Sequence, residues 1–75
     1  MGDLTNKVLE FMRNESNNRI NSGNYTKDGA QTFSTNDIYD NFDSNHEDID
    51  EALNELVNNS CIEKWIIGYK LLDED

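Results

Sequence analysis

Apolar residues recur at helical spacing in three places along the chain and crowd together in a fourth. Leu4, Val8, Phe11 and Met12 make one stripe, and Asp3 is placed to cap the helix that carries it. The stripe stops at Asn14. Residues 14–31 are rich in Asn, Ser and Gly and have only Ile20, Tyr25 and Ala30 as apolar content. They read as a long polar loop, either a flexible insertion or a functional segment that orders on binding.

Thr32 and Phe33 are enough for a short strand, after which Ser34 or Thr35 can cap a helix bearing Ile38, Tyr39 and Phe42. Ser44 and Glu47 match a capping box, in which two side chains satisfy orphaned backbone donors reciprocally. Behind them Ile49, Ala52, Leu53, Leu56 and Val57 follow the i, i+3, i+4, i+7, i+8 rule, giving the clearest helix of the chain. Asn58-Asn59-Ser60 ends it, because Asn tolerates the left-handed conformation at a helix C-terminus. The stretch "CIEKWIIGYKLL" is enriched in β-branched and aromatic residues and predicts two short strands joined by a turn. Residues 73–75 form an acidic tail. The expected core joins Leu4, Val8, Phe11, Phe33, Ile38, Phe42, Ile49, Leu53, Leu56, Ile62 and Leu71.

A chain of 75 residues has material for one hydrophobic core, so residues 1–75 are read as a single domain. No charged and apolar leader precedes Asp3, and no apolar run approaches the ~20 residues that span a bilayer, so a soluble, cytoplasmic protein without membrane association is expected. Charge is divided unevenly. Residues 1–33 hold four acids and four bases, whereas residues 34–75 hold twelve acids against Lys64 and Lys70, which accounts for the whole net charge of −10. The second half should repel nucleic acid at long range and attract basic protein surfaces.

The order helix, short strand, helix, helix, hairpin, with "FSTNDIYDNF…EDIDEALNELVNNSCIEKWIIGYKLL" over the second half, resembles a winged helix-turn-helix domain. The resemblance spans roughly residues 32–72, and the first helix takes the place expected of it. It implies a mainly α fold with a small β-hairpin wing (α+β): three helices and a short antiparallel sheet. It also implies that residues 45–59 correspond to the recognition helix and 64–68 to the wing tip. DNA-binding members offer basic or amide side chains there. This chain departs from them, with eight acids and no base between Ser34 and Ser60.

The exposed face of that helix should present His46, Glu47, Asp50, Glu51, Asn54, Glu55 and Asn58. Those carboxylates are either a solvated helix face or a docking surface for a basic protein, in the sharpest form a mimic of DNA phosphates. Near the helix N-terminus Glu47, Asp48 and Asp50 are stabilised by the helix dipole, which does not account for Glu51 and Glu55. The wing adds Trp65 and Ile66 as apolar partner contacts. Most apolar side chains of the hairpin are expected to close over the core, with Trp65 partly exposed as an interface anchor; a homodimer contact through the wing is equally compatible.

The rival reading is a DNA-binding transcriptional regulator. It would use Arg13, Arg19, Tyr25 and Lys27 of the polar loop region with Lys64 and Lys70 of the wing, weakly as a monomer and better as a dimer. His46 and Cys61 occur once each and match no zinc pattern, so His46 is read as a surface residue and Cys61 as a small buried hydrophobe. No nucleophile–base order, phosphate-cradling glycine loop or calcium loop is present in the sequence. Neither enzyme activity nor a metal or cofactor is expected. The small size and acidity suit a regulator or inhibitor of the kind encoded by phages and plasmids.

Overall fold

The computed structural model describes residues 2–72, and the acidic tail expected at 73–75 lies outside them. Its elements are α1 (Asp3–Ser22), α2 (Lys27–Gln31), β1 (Thr32–Ser34), α3 (Thr35–Asp40), α4 (His46–Asn58), β2 (Ile62–Lys64) and β3 (Gly68–Leu71). The strands form one antiparallel sheet in the order β1-β3-β2, with Phe33 opposite Tyr69 and Lys64 opposite Tyr69 on the other side. The fold is α+β and mainly helical, with a small open sheet. That arrangement is compatible with the α+β class the resemblance implies, but the described residues hold four helices where three were expected, the short α2 being the addition.

The first helix does not stop at Asn14. It runs through Ser22, ends on Gly23 in the left-handed conformation at φ 76°, and is followed by α2, so only residues 23–26 of the expected polar loop connect two helices. The extension is held by contacts that an apolar stripe does not reveal. Ser16 is buried, and the Arg19 guanidinium lies 4.5 Å from the centre of the Phe33 ring while donating to the Thr32 carbonyl at 2.9 Å. Helix α2 starts where the Thr26 side chain accepts from the Gly29 N–H, and it buries Ala30 and Gln31.

Caps differ from expectation by one residue at two helix starts. Gly2 occupies the N-cap of α1, placing Asp3 in the first turn, where its charge complements the helix dipole. Asn45, not Ser44, caps α4 by accepting from the Asp48 N–H at 2.9 Å. Ser34 caps α3, accepting from Asp37 N–H. At the far end of α4 the left-handed residue is Ser60 (φ 62°), not an Asn: Ser60 N–H donates to the Val57 carbonyl and Cys61 N–H to that of Leu56, the paired bonds of a Schellman motif.

The core lies between α1, α4 and the sheet. Val8, Met12, Phe33, Ile38, Ile49, Leu53, Leu56 and Ile62 are fully buried, each aliphatic one contributing about 1.5–3 kcal/mol of transfer free energy. Leu9, Ala52, Tyr69 and Leu71 complete the cluster. Leu4, Phe11 and Phe42, expected inside, pack on its margin and are partly exposed; the Phe11 ring meets Phe33 and Phe42 at centroid distances of 6.0 and 5.7 Å.

Candidate functional site

The Asn45 cap and the buried quartet Ile49, Ala52, Leu53 and Leu56 fix how α4 is rolled against the rest of the protein. Its outer face therefore presents His46, Glu47, Asp48, Asp50, Glu51, Asn54 and Asn58 to solvent. Glu55 differs from its neighbours: it is half-buried, and its Oε2 accepts from the Thr5 hydroxyl of α1 at 3.2 Å. It belongs as much to the α1–α4 contact as to any outer surface.

Asp50 is also engaged. Its Oδ1 accepts from the Tyr39 hydroxyl of α3 at 2.5 Å, and the Tyr39 ring lies flat against His46, with centroids 3.8 Å apart and planes 8° apart. Helices α3 and α4 are clamped by this trio. The hydrogen bond to Asp50, followed by burial, pushes the Tyr39 hydroxyl up to about 12, because ionisation would set a phenolate against a carboxylate. Burial, with Asp50 as the smaller cause, also raises Tyr69.

The hairpin turn is a second surface. Trp65 N–H donates to the Gly68 carbonyl at 2.8 Å and Gly68 N–H returns to Trp65 at 3.3 Å, leaving Ile66 and Ile67 as the two residues of the turn. Both point outward. Ile66 is fully exposed and Ile67 68 % exposed, so the expectation that most hairpin side chains close over the core holds for Ile62, Tyr69 and Leu71 and fails for these two. Trp65 is 42 % exposed, as expected. Its indole N–H donates to Glu63 Oε1 at 2.9 Å, and Lys70 Nζ stands 5.2 Å from its ring. The Ile67 carbonyl accepts from the backbone and hydroxyl of Thr35 at 3.2 and 3.4 Å, which fixes the turn to the start of α3.

Comparison with protein-family models, with curated proteins and with solved structures returns no match. The site is therefore read from its own chemistry.

The candidate nucleic-acid residues come from α1, the α1–α2 connection, α2 and the hairpin. Arg19 is committed to the Thr32 carbonyl, the Phe33 ring and Glu15, whose Oε1 is 3.4 Å from Nε. Lys70 pairs with Asp28 at 3.3 Å. Arg13 and Arg19 are six positions apart on α1, so their side chains diverge by about 120°. Tyr25 is exposed, 5.4 Å from the Arg19 guanidinium, and Arg13, Lys27 and Lys64 are exposed as well.

His46 lies on the surface, and Cys61 is half-buried rather than buried. Among the described residues no group of three or more His, Cys, Asp or Glu is placed to hold a metal ion, and no helix is long and apolar enough to cross a membrane. Two features escape sequence reasoning. One is Ile67, whose exposure follows only once the turn register is known. The other is a groove of about 360 Å³ between α1 and α3, lined by Phe11, Glu15, Arg19, Asp37, Asp40 and Asn41, which draws on residues more than twenty positions apart.

Proposed function

We propose that this is a non-enzymatic interaction module of winged-helix architecture, which docks the acidic face of α4 on a basic surface of a nucleic-acid-handling protein. The observation that carries the reading is the outer face of α4: Glu47, Asp50 and Glu51 are exposed along it, and no Lys or Arg occurs between Ser34 and Lys64 to neutralise them. In a DNA reader the corresponding face supplies donors to phosphates and base edges. Carboxylates reverse that preference and favour a cationic partner.

Within this reading Glu47 and Glu51, one turn apart and free of the α1 contact, make the outer charge of the interface. Asp50 is held in place by Tyr39, which lowers the ordering cost of using it. Glu55 serves mainly to join α1 and α4. The engagement of Arg19 with the Thr32 carbonyl and of Lys70 with Asp28 weighs against the DNA-binding alternative.

The test is a pull-down from a host lysate with the full chain immobilised, run with and without nuclease beside a Glu47→Lys, Glu51→Lys variant. Retention of a basic protein that survives nuclease and is lost in the folded variant supports the reading. Equal retention by the variant, or nuclease-sensitive recovery of DNA, overturns it. The complex should also weaken with salt, as exposed charges are screened beyond ~10 Å at 0.1 M.

A further inference from the structure

His46 is the single histidine of the chain, and it stands on the outer face of α4 among the carboxylates. Its imidazole lies flat on the Tyr39 ring, with centroids 3.8 Å apart and planes 8° apart, and the Tyr39 hydroxyl is tied to Asp50 one turn further along α4. Exposed side chains ordinarily exchange between staggered rotamers. This one is held by its stack, so whatever charge it carries is fixed over the acidic face.

Histidine is the side chain whose charge ordinarily changes between about pH 5 and 8. No Lys or Arg occurs between Ser34 and Lys64, so a protonated His46 is the one positive charge on α3, α4 and the connection that joins them. The titratable groups it meets are the Tyr39 ring of α3 and, by position, Asp43 of the connection with Glu47 and Asp50 of α4. Tyr39 keeps its own proton far above this range, its hydroxyl being raised to about 12 by the bond to Asp50, so the clamp persists while His46 titrates. The stack persists as well, because a cationic imidazole is attracted to the face of an aromatic ring.

We infer that His46 is a proton gate on the acidic face of α4: its protonation sets a cation among Glu47, Asp50 and Glu51 and loosens a basic partner docked there. The inference rests on the docking reading given above and adds the regulation of that same surface. By linkage, the partner disfavours the proton by the same factor as the proton disfavours the partner. One added charge on an exposed face changes affinity by about threefold to tenfold.

Fluorescence anisotropy of a labelled deca-lysine peptide with the full chain tests this between about pH 5.5 and 8 at fixed ionic strength, a range over which lysine keeps its charge. The expected result is binding about threefold to tenfold weaker at the acid end, with His46→Gln binding equally at both ends and His46→Lys binding weakly throughout. Proton NMR of the His46 ring in the unmodified chain should show its titration midpoint falling when the peptide is added, a readout that needs no variant. Binding that is independent of pH overturns the inference, as does the same pH dependence in His46→Gln or a midpoint indifferent to the peptide; each leaves the docking reading standing. Peptide binding that is unchanged by Glu47→Lys with Glu51→Lys, or absent at the alkaline end, removes the acidic face itself, and the proton gate falls with it.

Discussion

Arg19 Nη1 donates to the carbonyl oxygen of Thr32 at 2.9 Å, joining the last turn of α1 to the outer side of β1. The same guanidinium covers the Phe33 ring and lies beside Glu15, so one side chain closes a hydrogen bond, an aromatic contact and an ion pair. It does so with 15 % of its side-chain surface exposed.

Arg19→Ala should therefore destabilise the protein by about 2–3 kcal/mol, the cost of losing a charge-assisted hydrogen bond together with the packing of its stem. Arg19→Lys should recover only part of this, because an ammonium lacks the planar fork that bonds and stacks at once. Urea unfolding followed by circular dichroism measures both, and equal stability of all three chains would remove Arg19 from this role.

That residue also explains what the sequence conceals. Helix α4 is legible because Ile49, Ala52, Leu53 and Leu56 mark its buried face in apolar letters. The second half of α1 buries its inner side with Ser16 and the stem of Arg19, which hydropathy counts as polar, and Gly23 then marks an end that resembles just another loop residue. The acidic outer face of α4 follows directly from the same periodicity. The tip at Ile66 and Ile67 does not, since β-branched residues predict strand, and only the Trp65–Gly68 bonds turn them into an apex. The groove between α1 and α3 depends on tertiary placement alone.

Tyr39 should titrate late. Its hydroxyl is raised to about 12 by its bond to Asp50, above the ordinary value of 10.0, so between those values the folded protein keeps a proton that the unfolded chain has lost. This stabilising contribution is full below pH 10 and is lost as pH rises towards 12. Tyrosinate absorbance should show a tyrosine titrating in this window that Tyr39→Phe removes, and the stability difference between the two proteins should narrow across it. A Tyr39 that ionises at 10 would mean that the bond to Asp50 is not formed in solution.

Gly68 admits no side chain. A Cβ built there would lie 1.9 Å from the Phe33 carbonyl oxygen and 2.8 Å from Ser34 Cα, both backbone atoms of the paired strand. Gly68→Ala must separate β1 from β3 and should cost more than about 3 kcal/mol, beyond the usual range for overpacking, because no rotamer change can relieve it. Thermal unfolding checks this; a melting temperature within a few degrees of the parent's would show that the two strands are less closely paired.

The ends of α4 yield a matched set of outcomes. Asn45→Ala should cost about 1 kcal/mol through loss of the cap, whereas Ser44→Ala should cost little, since the cap falls on Asn45. Ser60→Gly should stabilise by roughly 1 kcal/mol by relieving a left-handed residue that carries a Cβ. Denaturant midpoints of the three variants decide it, and a larger loss at Ser44 than at Asn45 would shift the start of the helix by one residue.

The bond between Arg19 and Thr32 bears finally on how far such a sheet can grow. Alternation along β1 turns the backbone of Thr32 away from β3, and both its polar groups are already taken: its N–H by the Gly29 carbonyl and its carbonyl by Arg19. Two residues later the strand becomes the cap of α3. Among the described residues only β2 keeps a margin open to another strand, and an endless stack needs two such margins on every unit. Arg19, the Gly29 carbonyl and the α3 cap together close the β1 margin, so the native sheet offers a further strand one side only.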